Sequence, residues 1–147
     1  MPRYFTLDQA RAMLPAVGRD IREAVQAKSR YGAAEGAIQD LAQRIMMRGG
    51  LAVDVNMVEG WKTQRETSAN SLQKAMERIE EAGVLVKDLD TGLIDFPTLY
   101  RGNEVYLCWR MDETEIRYWH GTTEGFGGRK EIDSAFLSQH RGEERAT

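Results

Sequence analysis

The chain has 147 residues, a net charge of −3 and 41% hydrophobic residues, values typical of one ordinary globular domain. The mild charge and the lack of a long Lys/Arg run argue against nucleic-acid binding. A single cysteine cannot form an internal disulfide, and the sequence shows neither a signal-peptide pattern nor about 18 consecutive apolar residues. We therefore predict a cytoplasmic protein that binds neither nucleic acid nor membranes.

Two long helices are predicted in the first 83 residues. Thr6 and Gln9 match a capping box, and Gly49-Gly50 ends the first helix. A 3–4 spacing then marks one seam: Leu14, Val17, Ile21, Ala24, Lys28, Tyr31, Glu35, Ile38, Ala42 and Ile45. The second helix repeats it at Val58, Trp61, Arg65, Ser68, Leu72, Ala75, Ile79 and Ala82. Pro15 is expected to kink or restart the first helix, and a bend is expected near Gly32.

The short link between these helices favours an antiparallel hairpin over residues 7–83. Two helices bury little on their own, and charged residues interrupt both seams. We expect the hairpin to pack on a sheet at one end and on a second subunit at the other, which predicts a homodimer.

Residues 84–120 predict a four-stranded antiparallel meander, because three turns separate runs rich in β-branched and aromatic residues. The assigned turns set the register. They place Leu89 opposite Leu93, Arg101 opposite Glu104, and Met111 opposite Thr114.

This register produces an apolar face and a polar face. The apolar face, expected to pack on the helices, holds Val84, Val86, Ile94, Phe96, Leu107, Trp109, Met111, Ile116 and Tyr118. The opposite face holds Lys87, Asp95, Tyr106, Cys108, Arg110, Glu115, Arg117 and Trp119. Lys87, Asp95, Arg110 and Glu115 form a row of alternating charge across the four strands, and a one-residue slip in any hairpin would destroy this agreement.

Several short blocks also resemble a known family, the domain-of-unknown-function family 2203 of small bacterial and archaeal proteins. They are YFTLDQARAMLP (4–15), GLIDFP (92–97), EVYLCWR (104–110), IRYWH (116–120) and GFGGR (125–129). The likeness covers most of the chain, is loosest over residues 48–59, and departs slightly at Gly128. It implies that the family pattern includes Asp95, Pro97, Cys108, Trp109, Arg110, Trp119, His120, Gly125, Phe126, Gly127 and Arg129. No activity is implied.

Two groups of residues are candidates for a binding site. In the charged row, Arg110 could clamp an anionic ligand beside Asp95, with Tyr106 and Trp119 as aromatic walls. The alternative is a solvated ladder of ion pairs. In residues 121–129, glycine amides and Arg129 could bind an anion. The alternative there is a loop that wraps the sheet, with Phe126 as its hydrophobic anchor.

A metal site is not predicted. Asp95, Cys108 and His120 are possible ligands, but zinc sites usually show paired Cys or His spacings, and the predicted register places Cys108 and His120 on opposite faces. The same separation argues against a Cys–His catalytic pair, so Cys108 is interpreted as a small buried hydrophobe. His120 is interpreted as a structural residue, with general acid or base as the functional alternative.

We predict a single α+β domain over residues 1–147. Its parts are the hairpin (7–83), the four-stranded meander (84–120), a Gly-rich segment with a short helix (121–137) and a disordered tail (138–147). The preferred function is a non-enzymatic binding or scaffold module that oligomerises through its helices and contacts a protein partner. The alternative is a small enzyme or anion-binding protein that uses Arg110, Arg129 and His120. No cofactor is predicted.

Overall fold

A computed structural model describes residues 3–50 and 52–142 and confirms the α+β class. A helical hairpin precedes an antiparallel sheet. The elements, in chain order, are α1 (Leu7–Arg48), α2 (Val55–Glu81), β1 (Leu85–Asp88), β2 (Leu93–Tyr100), β3 (Asn103–Arg110), β4 (Tyr118–Gly121), β5 (Lys130–Glu131), α3 (Ser134–Gln139) and β6 (His140–Arg141).

The first helix begins and ends where the sequence predicts. The Thr6 hydroxyl accepts from the Gln9 amide at 3.1 Å, the Gln9 side chain accepts from the Thr6 amide at 2.9 Å, and Gly49 adopts a left-handed φ of 67°. The 42 residues form one uninterrupted helix, so the predicted restart at Pro15 does not occur. At about 1.5 Å per residue, α1 is roughly 60 Å long.

The two helices pack along the predicted seams with one adjustment. All predicted seam residues of α2 are buried or half-buried, and Ser68, Ala75 and Ile79 are the buried ones. In α1 the buried line moves one residue after Ala24, to Ala27 and Ala34. The charged seam residues pair instead of packing: Lys28 reaches Asp90 at 2.6 Å, and Arg65 reaches Glu35 at 2.9 Å. None of the helices in the described ranges is long and apolar enough to cross a membrane.

The sheet contains six strands in the described residues rather than the four predicted. The path is β1-β2-β3-β4-β5, and β6 pairs with the far end of β2. The two extra strands are only two residues long, which is too short for an alternating pattern to predict them.

All three predicted registers are corrected. The second hairpin turns at Arg101-Gly102, with φ values of 52° and 80°, so Tyr100 lies opposite Asn103. The first hairpin places Val86 opposite Ile94, with an irregularity before Asp88. Both shifts move the strands by two residues near the centre of the sheet and therefore keep each side chain on its predicted face.

The third hairpin differs from its prediction in both the length of its connection and the faces of its second strand. Residues 111–117 form a seven-residue connection instead of a two-residue turn, and Tyr106 lies opposite His120. This is a one-residue slip, so the faces of β4 are exchanged. Trp119 packs on the apolar side against Tyr100 and Phe136, while Tyr118 and His120 lie on the other side.

The predicted charged row consequently does not form. Asp95 lies opposite Leu85 and Cys108, whereas Arg110 lies opposite Leu93. Apart from β4, the apolar face contains the predicted residues. Ile94, Phe96, Leu107, Trp109 and Ile116 pack with the helices in one buried core.

The prediction of a disordered tail from residue 138 is wrong for residues 138–142. Ser138 and Gln139 complete α3, and His140 pairs with Tyr100 in the sheet. The His140 Nε2 atom accepts a hydrogen bond of 3.1 Å from the Leu7 amide, which ties this segment to the start of α1. Residues 143–147 lie outside the described residues.

Candidate functional site

Three chemically active side chains meet inside the sheet. Asp95 of β2, Cys108 of β3 and His120 of β4 come from three adjacent strands and share one face. Asp95 and Cys108 have no exposed surface, and His120 is 3% exposed. One carboxylate oxygen, the thiol sulfur and one imidazole nitrogen all lie within 4.8 Å of one another. We call these three residues the buried cluster.

Hydrogen bonding fixes the role of each imidazole nitrogen. His120 Nδ1 lies 2.8 Å from the Gly121 carbonyl oxygen, which only accepts, so Nδ1 carries a hydrogen and donates it. Nε2 faces Asp95, with 3.0 Å to each carboxylate oxygen. In a neutral imidazole this Nε2 presents a lone pair. A lone pair and a carboxylate oxygen meet favourably only with a proton or a cation between them.

The Asp95 carboxylate is incompletely satisfied. Its Oδ2 atom is buried and, although it lies 3.0 Å from His120 Nε2, it makes no hydrogen bond in the described part of the chain. A buried polar atom without a partner costs about 1–3 kcal/mol. Buried polar atoms without a partner are rare in native proteins, and a bound ion is one established explanation for them.

Burial raises the pKa of Asp95, and this effect outweighs the opposing influence of His120, Cys108 and Lys87. Burial also raises the pKa of the Cys108 thiol to about 12, and the neighbouring Asp95 charge adds to the shift. Cys108 is therefore a thiol at neutral pH unless a cation stabilises its thiolate.

A cavity of about 110 Å³ opens above the buried cluster. Its wall includes Asp95 and His120 from the cluster. The rest of the wall consists of Lys87, Leu93, Tyr106, Thr122, Glu124, Gly125 and Phe126. The Tyr106 ring contacts the His120 ring edge-on at 5.5 Å. Larger grooves of about 580 and 310 Å³ lie elsewhere, between α1 and residues 111–115, and share no wall residue with the cluster.

Residues 122–129 cover the cavity and are fastened by stacked aromatic and guanidinium groups. Phe126 lies between Arg110 and Arg129, with guanidinium-to-ring distances of 4.7 and 4.5 Å, and Arg129 also lies 4.1 Å from the Tyr118 ring. Arg129 donates to both Glu113 carboxylate oxygens at 2.8 Å. This side of the cover is therefore held by a partly buried ion pair.

The comparisons with known proteins place the chain in a family. The family model described as "Uncharacterized conserved protein (DUF2203)" matches residues 3–132. The chain belongs to the DUF2203 family. No curated protein and no solved structure matches it. Family membership therefore confirms the resemblance noted from the sequence and assigns no chemistry to the buried cluster.

This DUF2203 protein brings only some of the predicted site residues together. Asp95, Tyr106 and His120 line the same cavity. Arg110 is separate, since it forms two hydrogen bonds with Asp112 at 2.6 and 2.9 Å. Arg110 and Asp95 are therefore not neighbours as predicted, while Arg110 as a clamp for an anionic ligand stays a prediction.

The other two predicted ligand-binding residues also lie apart from the cavity. Arg129 is neutralised by Glu113, and its contact with the cavity runs through Phe126. Trp119 lies on the apolar face, stacked on Phe136, so it cannot form a wall of this site. The prediction that Cys108 and His120 point to opposite faces is wrong as well, and its error removes the geometric objection to a shared metal site.

Proposed function

We propose that this DUF2203 protein binds one divalent transition-metal ion through Asp95, Cys108 and His120. The observation that carries this proposal is the convergence of three different donor types in the interior, with one carboxylate oxygen left unpartnered. Metal–ligand bonds to nitrogen, oxygen and sulfur are about 2.0–2.3 Å long, so donors within 4.8 Å of one another can reach a single ion after small movements.

Charge balance supports a divalent ion. A thiolate, a carboxylate and a neutral imidazole together carry a charge of about −2, so a divalent cation makes the buried group neutral and avoids the cost of burying net charge. Metal-binding histidines usually donate a hydrogen bond from their other ring nitrogen to a carbonyl or carboxylate oxygen. His120 Nδ1 donates such a bond to the Gly121 carbonyl, which leaves Nε2 free to bind the metal ion. Thiolate and imidazole together favour zinc.

The donor count favours a site with an open position. Structural zinc sites normally have four protein ligands, whereas catalytic ones have three and keep a fourth position for water or substrate. The buried cluster supplies three, and the cavity lies against it. This supports the alternative of a small enzyme or anion-binding protein, in which Asp95 and Cys108 take the place of Arg110 and Arg129 beside His120.

A cysteine-nucleophile enzyme is less well supported. The thiol is fully buried, its pKa is raised to about 12, and the side chain that faces the imidazole is Asp95. Nucleophilic cysteines instead have lowered pKa values and direct access to substrate.

The test is metal titration of the chelator-treated protein. We expect one zinc per chain by native mass spectrometry, and a rise in unfolding free energy of about 4 kcal/mol when free zinc exceeds Kd about a thousandfold. Asp95→Asn should abolish both effects, while its amide can still donate to His120 Nε2 and preserve the apo fold. Asp112→Asn is the matched control, because Asp112 is an exposed aspartate outside the cluster. Equal zinc binding by wild type and Asp95→Asn would refute the proposal.

A second candidate function is self-association through the end of the hairpin where the two helices are connected. Large apolar side chains are exposed where α1 ends and α2 begins, including Met46 (84% exposed), Met47 (80%) and Val55 (67%). Clustered exposed apolar residues commonly mark association sites. We expect a dimer at micromolar concentration by native mass spectrometry and a monomer after Met46→Glu and Met47→Glu. A monomeric wild-type protein would refute this candidate.

A further inference from the structure

The cavity above the buried cluster is small and specific in composition. Its volume of about 110 Å³ is below the roughly 150 Å³ of an engineered apolar cavity that admits benzene. It is also far below the 300–1,000 Å³ typical of sites for drug-sized ligands. Leu93, Tyr106 and Phe126 supply apolar wall, so the space suits a ligand of a few heavy atoms.

Lys87 gives this cavity a positive charge. Its ammonium group lies 4.7 Å from the centre of the Tyr106 ring, and no carboxylate pairs with it in residues 3–50 or 52–142. The other charged residues near this cavity are already paired: Arg110 with Asp112, Arg129 with Glu113, and Lys130 with Glu124, which also lines the cavity. The charge of Lys87 is one of the influences that oppose the rise in the pKa of Asp95, which burial causes.

The charges therefore select the ligand. A divalent ion together with its three ligands in the buried cluster has no net charge. A monoanion bound at the open position of the metal would therefore give the site a net charge of −1. Lys87 lines the same cavity and supplies one positive charge. A monoanion is balanced by this arrangement, whereas a phosphate dianion is not.

We propose that the cavity binds a small carboxylate or bicarbonate, with one oxygen at the open position of the metal and the negative charge balanced by Lys87. This inference rests on the proposed metal site. Acetate and bicarbonate each have four heavy atoms and one negative charge, so they fit both the volume and the charge of the cavity. The aromatic rings of Tyr106 and Phe126 replace part of the water around the bound anion, which strengthens its attraction to Lys87.

The test uses the full chain loaded with cobalt(II), whose visible spectrum reports a change in coordination. Titration with sodium acetate or sodium bicarbonate should shift the spectrum to saturation, and sodium perchlorate at matched ionic strength should not, because perchlorate coordinates metal ions poorly. Lys87→Gln should weaken the acetate affinity at least tenfold, and Lys87→Arg should restore most of it. Lys74→Gln removes the same charge from an exposed position on α2 and should leave the affinity unchanged.

The outcomes separate the two proposals. Cobalt uptake with no spectral response to acetate or bicarbonate would overturn the anion proposal and leave the metal site intact. An acetate response of equal affinity in Lys87→Gln would overturn the role of Lys87 and the charge argument with it. A chain that takes up no cobalt or zinc would overturn both proposals.

Discussion

Arg129 and Arg110 form a natural matched pair for testing what holds the cavity cover. Both guanidinium groups stack on Phe126, and both pair with a carboxylate. They differ in burial: the Arg129 side chain is 9% exposed and that of Glu113 is 19% exposed, against 34% and 61% for Arg110 and Asp112. We predict that Arg129→Met is far more destabilising than Arg110→Met.

The expected magnitudes follow from this difference in burial. Removing one partner of a buried ion pair costs about 3–5 kcal/mol, because the other charge remains without compensation. Glu113 keeps its hydrogen bond of 2.7 Å from the Arg110 amide and some access to water, so we expect about 2–4 kcal/mol for Arg129→Met. Methionine retains much of the stem packing. An exposed pair contributes less than about 1 kcal/mol, which is the loss expected for Arg110→Met.

Urea unfolding of both variants, followed by far-UV circular dichroism, measures these losses. The slope of free energy against urea should match wild type in both, since the surface exposed on unfolding hardly changes. Equal losses in the two variants, or a loss below 1 kcal/mol for Arg129→Met, would show that the Arg129–Glu113 pair does not fasten residues 122–129. The same result would leave Phe126 as the main anchor of the cover.

Three further predictions test other parts of the structure. Trp109→Ala should lower the unfolding free energy by about 3–5 kcal/mol in urea titration, because the ring is 2% exposed, and a negligible loss would show that β3 faces the wrong way. In the metal-free protein at pH 8, Cys108 should react with iodoacetamide about a thousandfold more slowly than a thiol of pKa 9.0, since a pKa of about 12 keeps it protonated. That rate should rise about tenfold for each pH unit between pH 7 and 9, and a fast, pH-independent reaction would contradict the burial of the thiol. His140→Ala should cost about 1–2 kcal/mol by removing the acceptor of the Leu7 amide, and an unchanged midpoint would show that residues 138–142 do not fasten α1.

The helical half could be predicted closely because its signals are local. The reciprocal hydrogen bonds of Thr6 and Gln9 depend only on four neighbouring residues, and the seam of α2 follows from a constant 3.6-residue period. Lys28, which was predicted to lie in the α1 seam, pairs with the distant residue Asp90, and Ala27 takes the buried position. Such long-range pairs have no local sequence signal.

The second hairpin shows why turn assignment is less reliable. Its two central residues both have positive φ, a conformation that favours Gly or Asn, and the sequence offers Gly102-Asn103. The turn instead uses Arg101-Gly102, with Arg101 held in the left-handed region. Its amide and its side chain both donate to Gln139, at the end of α3, which supports this conformation. A residue 38 positions away thus decides the turn.

The candidate site was not predicted because it depends on the register of β4 against β3. A shift of one residue moves every side chain of β4 to the other face of the sheet, whereas a shift of two does not. All three donors can be recognised from the sequence, but a one-residue slip decides whether His120 joins Asp95 and Cys108 or faces the helices. The assumed turn failed because Glu113 is used elsewhere, bonding the Arg110 amide and Arg129 and leaving residues 111–117 as a longer connection.

The predicted register of β4 could have been corrected by asking whether each buried polar side chain has a hydrogen-bond partner. The two-residue turn places Trp119 on the polar face and His120 in the apolar core, where an imidazole without partners costs several kcal/mol. The observed register reverses both assignments. Trp119 packs against Tyr100 and Phe136, and His120 finds the Gly121 carbonyl and Asp95. When two registers differ by one residue, the one that gives each buried polar side chain a partner should be preferred, and in this chain that choice also assembles the buried cluster.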